Sequence, residues 1–175
     1  MRTTPFLKRL TAILTTFTTD IEGVTWYATA GDIVTELAER YQVSRECAAG
    51  VIAVTSPRLQ WKRNIQVSHE VLAGLMPRGL FKANARKAMA IRNGAEPLDV
   101  IKGPKTRAFY RAIMGDPDAV VIDVWMLRVL KFTRKLTTKA YDLLADIIRQ
   151  AAKGVGMTPA SFQAVVWVAV RGRAS

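Results

Sequence analysis

The chain has 175 residues, half of them hydrophobic, which is enough to bury a core and too apolar for a disordered segment. No apolar run approaches the roughly 20 residues that span a bilayer, and "FLKRLTAILTTFTTD" lacks the apolar core and cleavage site of a signal peptide. The net charge of +12 is unevenly placed: residues 58–115 hold twelve Lys or Arg against three acids, and residues 124–139 hold five bases and no acid. A soluble intracellular protein with a polyanion partner and no membrane partner is therefore expected, because neutralising phosphates releases counterions.

Taken in chain order, the apolar spacing is helical nearly everywhere. Phe6, Leu7, Leu10, Ile13, Leu14 and Phe17 share one face of a first helix. Ile33, Val34, Leu37, Ala38 and Tyr41 do the same in "GDIVTELAERY". Ser44 is placed to cap a buried helix through "ECAAGVIAV", which Pro57 terminates. "KRNIQVSHEVLAG" and "KANARKAMAIRNG" are two further helices ending at Gly74 and Gly94. "AVVIDVW" has strand propensity but runs into "MLRVLKFTRKL" with helical spacing, so it is taken as the start of a long buried helix. Thr158-Pro159 opens a last helix through "ASFQAVVWVAVRG". The expectation is one all-α domain over residues 1–175, compact and orthogonally packed, with about nine or ten helices.

Cys47 is the only cysteine, which excludes an internal disulfide and a four-cysteine metal or iron–sulfur site. It falls in an apolar run, as a buried inert thiol does. The one histidine, His69, has no cysteine or clustered acids beside it, so neither a metal nor another cofactor is expected.

The stretch "IKGPKTRAFYRAIMGDPDAVVIDVWMLR" (residues 101–128) stands apart. Gly103 and Pro104 ahead of a helix leave its first N–H groups unpaired and facing outward, which suits an anion. A basic surface turn is the alternative. Asp123 lies between Ile122 and Val124, eighteen residues after Lys105. A carboxylate in an apolar wall is costly and so suggests work; a helix cap or a partner for Arg128 is the plainer role.

These residues resemble the helix-hairpin-helix DNA glycosylases, the endonuclease III-like superfamily. "GPKTRA" is similar to the end of that family's hairpin and "IDVWMLR" to its aspartate motif, at the family's interval. "GVIAVTSPRLQWKRN" resembles its buried helix and the loop that reaches into the duplex, and "GLFKANARKAMAI" its wedge segment. The resemblance covers about residues 48–130.

What the resemblance implies is specific. Lys105 matches the lysine that attacks the sugar C1′ and forms a Schiff base, and Asp123 the acid that stabilises an oxocarbenium-like sugar or activates the nucleophile. Arg107 and Lys102 are the cations placed to assist Lys105. Leu80 is the wedge, or an ordinary core leucine; Arg58 fills the void or holds a phosphate. Gly103 and the hairpin amides clamp the backbone, with Lys82, Arg86 and Lys87 as further phosphate contacts. Double-stranded DNA is the implied partner, with one nucleotide flipped out of the stack, and the protein is expected to be a monomer.

The chain departs from the pattern at several points. Ile101 stands where the family prefers glycine, the Thr-His after the aspartate is Val124-Trp125, and the iron–sulfur loop is absent. Trp125 packs the core or lines a pocket. Gln163, Trp167 and Arg171 are four apart on one helix face, either reading a base or edging a buried face. The short, cluster-free chain resembles bacteriophage members of the superfamily, some of which modify bases rather than excise them. Base hypermodification and non-catalytic DNA binding are thus the alternatives to N-glycosidic cleavage with abasic-site lyase activity.

Overall fold

The computed structural model describes residues 21–171 together with Pro5, Lys8 and Ala12. The apolar face of the expected first helix, Phe6, Leu7, Leu10, Ile13, Leu14 and Phe17, lies outside the described residues. Among those described there are nine helices and no strand, so the all-α expectation holds. The chain divides into two compact units, one comprising residues up to Ala28 and from Gly115 onward, the other Thr29–Met114. Helix α1 (Ile21–Tyr41) begins in the first unit and ends in the second.

In the second unit the central element is α2 (Arg45–Thr55), in which every residue from Ala48 to Thr55 is buried. A helix apolar on all sides must be surrounded. It packs against α3 (Trp61–Leu72), α4 (Lys82–Arg92), α5 (Pro97–Val100) and α6 (Pro104–Ile113). Ser44 caps α2 as expected, its Oγ accepting the Cys47 N–H at 3.1 Å. Gly50 allows the closest approach: a Cβ there would lie 2.9 Å from Pro97 Cβ and Cγ.

Beyond α2 the turn to α3 is held by a buried polar network. Thr55 Oγ1 lies 2.6 Å from Asn64 Oδ1, and Asn64 Nδ2 donates to the Ile52 carbonyl at 3.2 Å. Ser68 Oγ donates to the Asn64 carbonyl at 2.9 Å. Every member has a partner, as buried polar groups require. The last turns of α3 and α4 close on Gly74 and Gly94, both at positive φ (84° and 100°), the left-handed conformation glycine adopts without a Cβ penalty.

The first unit contains α7 (Val124–Val129), α8 (Thr138–Gly154) and α9 (Pro159–Arg171), with α9 packed on α7 and α8. At its centre Phe162, Met126, Leu130 and Ile148 are fully enclosed. Gly23 of α1 meets α9 so closely that a Cβ would stand 2.7 Å from Val165 Cα.

One expectation is overturned here. Residues 119–122 have no regular secondary structure, Asp123 is extended, and the helix that follows has only six residues rather than forming a long buried one. The β-branched run Val120-Val121-Ile122 disfavours the helix locally, and its backbone groups find a side-chain partner instead of a ladder. The Tyr141 hydroxyl donates to the Val120 carbonyl at 2.8 Å and accepts the Ile122 N–H at 3.1 Å. Asp123 then starts α7.

Candidate functional site

In the second unit, α5, a tight turn and α6 form a helix-hairpin-helix. Ile101, where a glycine was looked for, turns its side chain into the core at 1% exposure and so anchors the turn. Gly103 precedes α6 with φ −76° and ψ 136°, and no side chain caps the helix. Its first-turn N–H groups are thus open to water or an anion. A Cβ at Gly103 would meet nothing within 4 Å, so space rather than strain distinguishes the position. Lys102 and Lys105 are exposed on either side of it. Arg107, also exposed, donates to the carbonyls of Leu98 and Ile101 at 3.2 and 3.3 Å. It therefore staples the end of α5 to the start of α6, a use that sequence reasoning did not assign to it.

Two loops of the same unit carry the residues expected to reach into a duplex. Arg58 sits in the turn after α2 at φ 67°, exposed. Its guanidinium lies 5.1 Å from the centroid of the Phe81 ring. Leu80 is half-buried in the loop that ends at Phe81, whereas Phe81 is 52% exposed, as are Leu75 and Met76 at 61% and 62%. The projecting apolar residue beside Arg58 is thus Phe81. Lys82 and Arg86 are exposed on α4, and Lys87 is half-buried.

Asp123, in the first unit, is held by three N–H donors. Its Oδ1 accepts the Trp125 and Met126 N–H groups at 2.9 and 3.0 Å, capping α7. Its Oδ2 accepts the indole N–H of Trp167 at 2.9 Å. Three donors fix one half-buried anion, with charge-assisted bonds stronger than neutral ones. The Arg128 guanidinium stacks on Trp125 at 4.6 Å and that of Arg171 on Trp167 at the same distance. Trp167 also packs edge-on against Trp26, 5.7 Å between centroids.

Behind this layer Gln163 is buried, its Oε1 accepting the Tyr27 hydroxyl at 2.7 Å. Tyr27 as a whole is half-buried, but burial of its hydroxyl pushes it well above the ordinary tyrosine value, with Tyr141 and the Asp123 charge adding to the rise. Burial likewise raises Tyr141, to about 12. Both phenols stay protonated and donate in the physiological range. Of the stripe Gln163, Trp167 and Arg171, the structure brings Trp167 directly to Asp123 and sends Gln163 to Tyr27.

The family described as of unknown function, DUF7178, matches residues 5–174. The chain belongs to that family. No curated protein and no solved structure matches it. In this DUF7178 member, no group of three or more His, Cys, Asp or Glu among the described residues could hold a metal. No described helix is long and apolar enough to cross a membrane.

Sequence reasoning missed Trp26, Tyr27, Tyr141 and Phe81. The adjacent pair Trp26-Tyr27 had a readable signal, two aromatics in sequence within an otherwise alanine- and threonine-rich stretch. Tyr141 had none, since it serves a segment about twenty residues away. Phe81 adjoins Leu80, and only exposure separates them.

Proposed function

We propose that this chain is a DNA-acting enzyme of the helix-hairpin-helix glycosylase kind, which flips a nucleotide and breaks its N-glycosidic bond. The observation that carries the reading is Asp123, an anion held by three N–H donors beside tryptophan rings. As the bond from C1′ to the base nitrogen breaks, its electron pair leaves with the base and positive charge develops on the sugar. A fixed carboxylate stabilises that charge without reorganising. The hairpin of residues 97–113, with its uncapped helix start and exposed Lys102 and Lys105, supports phosphate binding. Lys105 is assigned the neutral amine that adds to the C1′ aldehyde of an abasic site and, with loss of water, forms an imine; β-elimination then takes a C2′ proton and expels the 3′-phosphate.

Borohydride trapping on a duplex with one abasic site tests this, with Lys105→Ala alongside the wild type. A covalent complex lost in the variant supports the lyase. Without trapping, base release from a panel of damaged and modified duplexes decides, with Asp123→Asn as the control. A second reading, DNA binding without chemistry, is favoured by one feature: every hydrogen bond Asp123 makes is one a structural cap and tether also makes. In that case Asp123→Asn leaves duplex affinity unchanged, and no base is released.

A further inference from the structure

We infer that the segment from Arg128 to Lys139, in the first unit, is a second phosphate-binding surface, which docks on the backbone of duplex DNA. The inference rests on the DNA-acting reading above and extends it to residues that, apart from Arg128 on the Trp125 ring, neither the hairpin nor the Asp123 cluster uses. Arg128, Lys131, Arg134, Lys135 and Lys139 are all exposed, and no acid lies between residues 124 and 139. Among the described residues none of the five pairs with a carboxylate. Five like charges on a short stretch repel one another and gain from a polyanion that neutralises them together.

Two of the cations are placed against local preference. Helix α7 ends with the Phe132 N–H on the Leu127 carbonyl at 2.9 Å and the Lys131 N–H on the Arg128 carbonyl at 3.1 Å. That closure puts the residue after the C-cap Leu130 in the left-handed conformation, where glycine is usual, yet Lys131 occupies it at φ 49°. Lys139 stands in the first turn of α8, which has no acid there, although the helix dipole favours anions at that end. A lysine at each position weakens the fold slightly and contributes charge to the same surface. Positions that break a local rule without packing benefit are those where function is to be sought.

The occupant argued for is the DNA backbone, because the exposed side chains here are cationic and polar. None of the large hydrophobics exposed among the described residues lies within the segment; Val124 and Leu143 flank it, each four residues beyond an end. A surface made to insert into lipid needs exposed apolar groups as well.

The experiment is the salt dependence of binding to a fluorescent unmodified duplex, measured by anisotropy. It compares the wild type, K131A/R134A/K135A and Lys131→Gly. Each lost phosphate contact lowers the slope of log K against log salt by about 0.9. The triple variant is expected to lose about 2–3 in slope and Lys131→Gly about 1. Lys131→Gly should melt no lower than the wild type, separating the loss of charge from a loss of fold.

If the wild type binds with a steep slope and both variants keep it, the inference is overturned while the DNA reading stands. If the wild type shows no salt-dependent binding, the DNA reading fails and takes this inference with it. Tighter binding to phosphatidylglycerol vesicles than to the duplex, lost in the triple variant, overturns the inference in favour of a membrane surface.

Discussion

Removing the indole N–H at Trp167 while keeping its ring is the sharpest probe of the Asp123 cluster. Trp167→Phe leaves an aromatic ring to pack against Trp26 and Arg171 but deletes the 2.9 Å bond to Asp123 Oδ2. A hydrogen bond to a charged group contributes roughly 1.5–3 kcal/mol. Asp123 is half-buried, so water recovers part of this, and a loss of about 1–2 kcal/mol is expected. At this chain length that lowers the melting temperature by about 2–8 °C.

Asp123→Asn should cost a similar amount. Its carbonyl still accepts the Trp125 and Met126 N–H groups, but its amide then faces the indole donor to donor. The two changes remove one and the same bond, so the double variant should be about as unstable as the worse single one. The coupling energy is expected near 1–2 kcal/mol. Asp123→Ala removes the cap as well, adding roughly 1 kcal/mol. Thermal unfolding followed by far-ultraviolet circular dichroism measures the wild type and all four variants. A Trp167→Phe protein as stable as the wild type, or strict additivity in the cycle, would refute the reasoning.

Three further outcomes are expected. Tyr141 is held protonated in the fold to about pH 12, against 10 for an ordinary tyrosine. Its stabilisation is therefore complete below pH 10 and lost as pH rises from 10 to 12, by roughly 3 kcal/mol. Tyr27 adds to the loss in the same direction; melts across this range should show the fall, and Tyr141→Phe should flatten part of it. Gly50→Ala forces a methyl to 2.9 Å from Pro97 and 3.1 Å from Ile91 Cγ2, and overpacking of this kind costs about 1–3 kcal/mol, to be read by urea unfolding. Phe81→Ala removes an exposed ring and its Arg58 contact, changing stability by less than about 1 kcal/mol. If Phe81 stacks on a base, duplex affinity nonetheless falls about 5–150-fold, the equivalent of 1–3 kcal/mol per stacked base. Unchanged affinity would remove Phe81 from the interface.

What was legible in the sequence is what depends on neighbours a few residues away. The cap at Ser44, the closing glycines at 74 and 94, and the start at Pro159 all appear where the sequence puts them, because a helix end is satisfied by groups within one turn. The hairpin turn at residues 101–103 was readable for the same reason. Residues 119–123 were not, since β-branched propensity and helical period disagree there. The tie is broken by a phenol from α8, about twenty residues on.

The same division holds for the candidate site. Asp123, Trp125, Gln163, Trp167 and Arg171 were each visible as residues out of keeping with their surroundings. Which of them touch was decided by the fold: Trp167 reaches Asp123 across 44 positions, and Tyr27 reaches Gln163 across 136. Composition, periodicity and capping determined that the chain is helical and basic, and where most helices stop, because those are local free energies. The pairing of acid with indole, of phenol with the Val120 and Ile122 backbone and of Arg58 with Phe81 was settled only by the tertiary structure. Each of these contacts joins residues that only packing brings within a few ångströms.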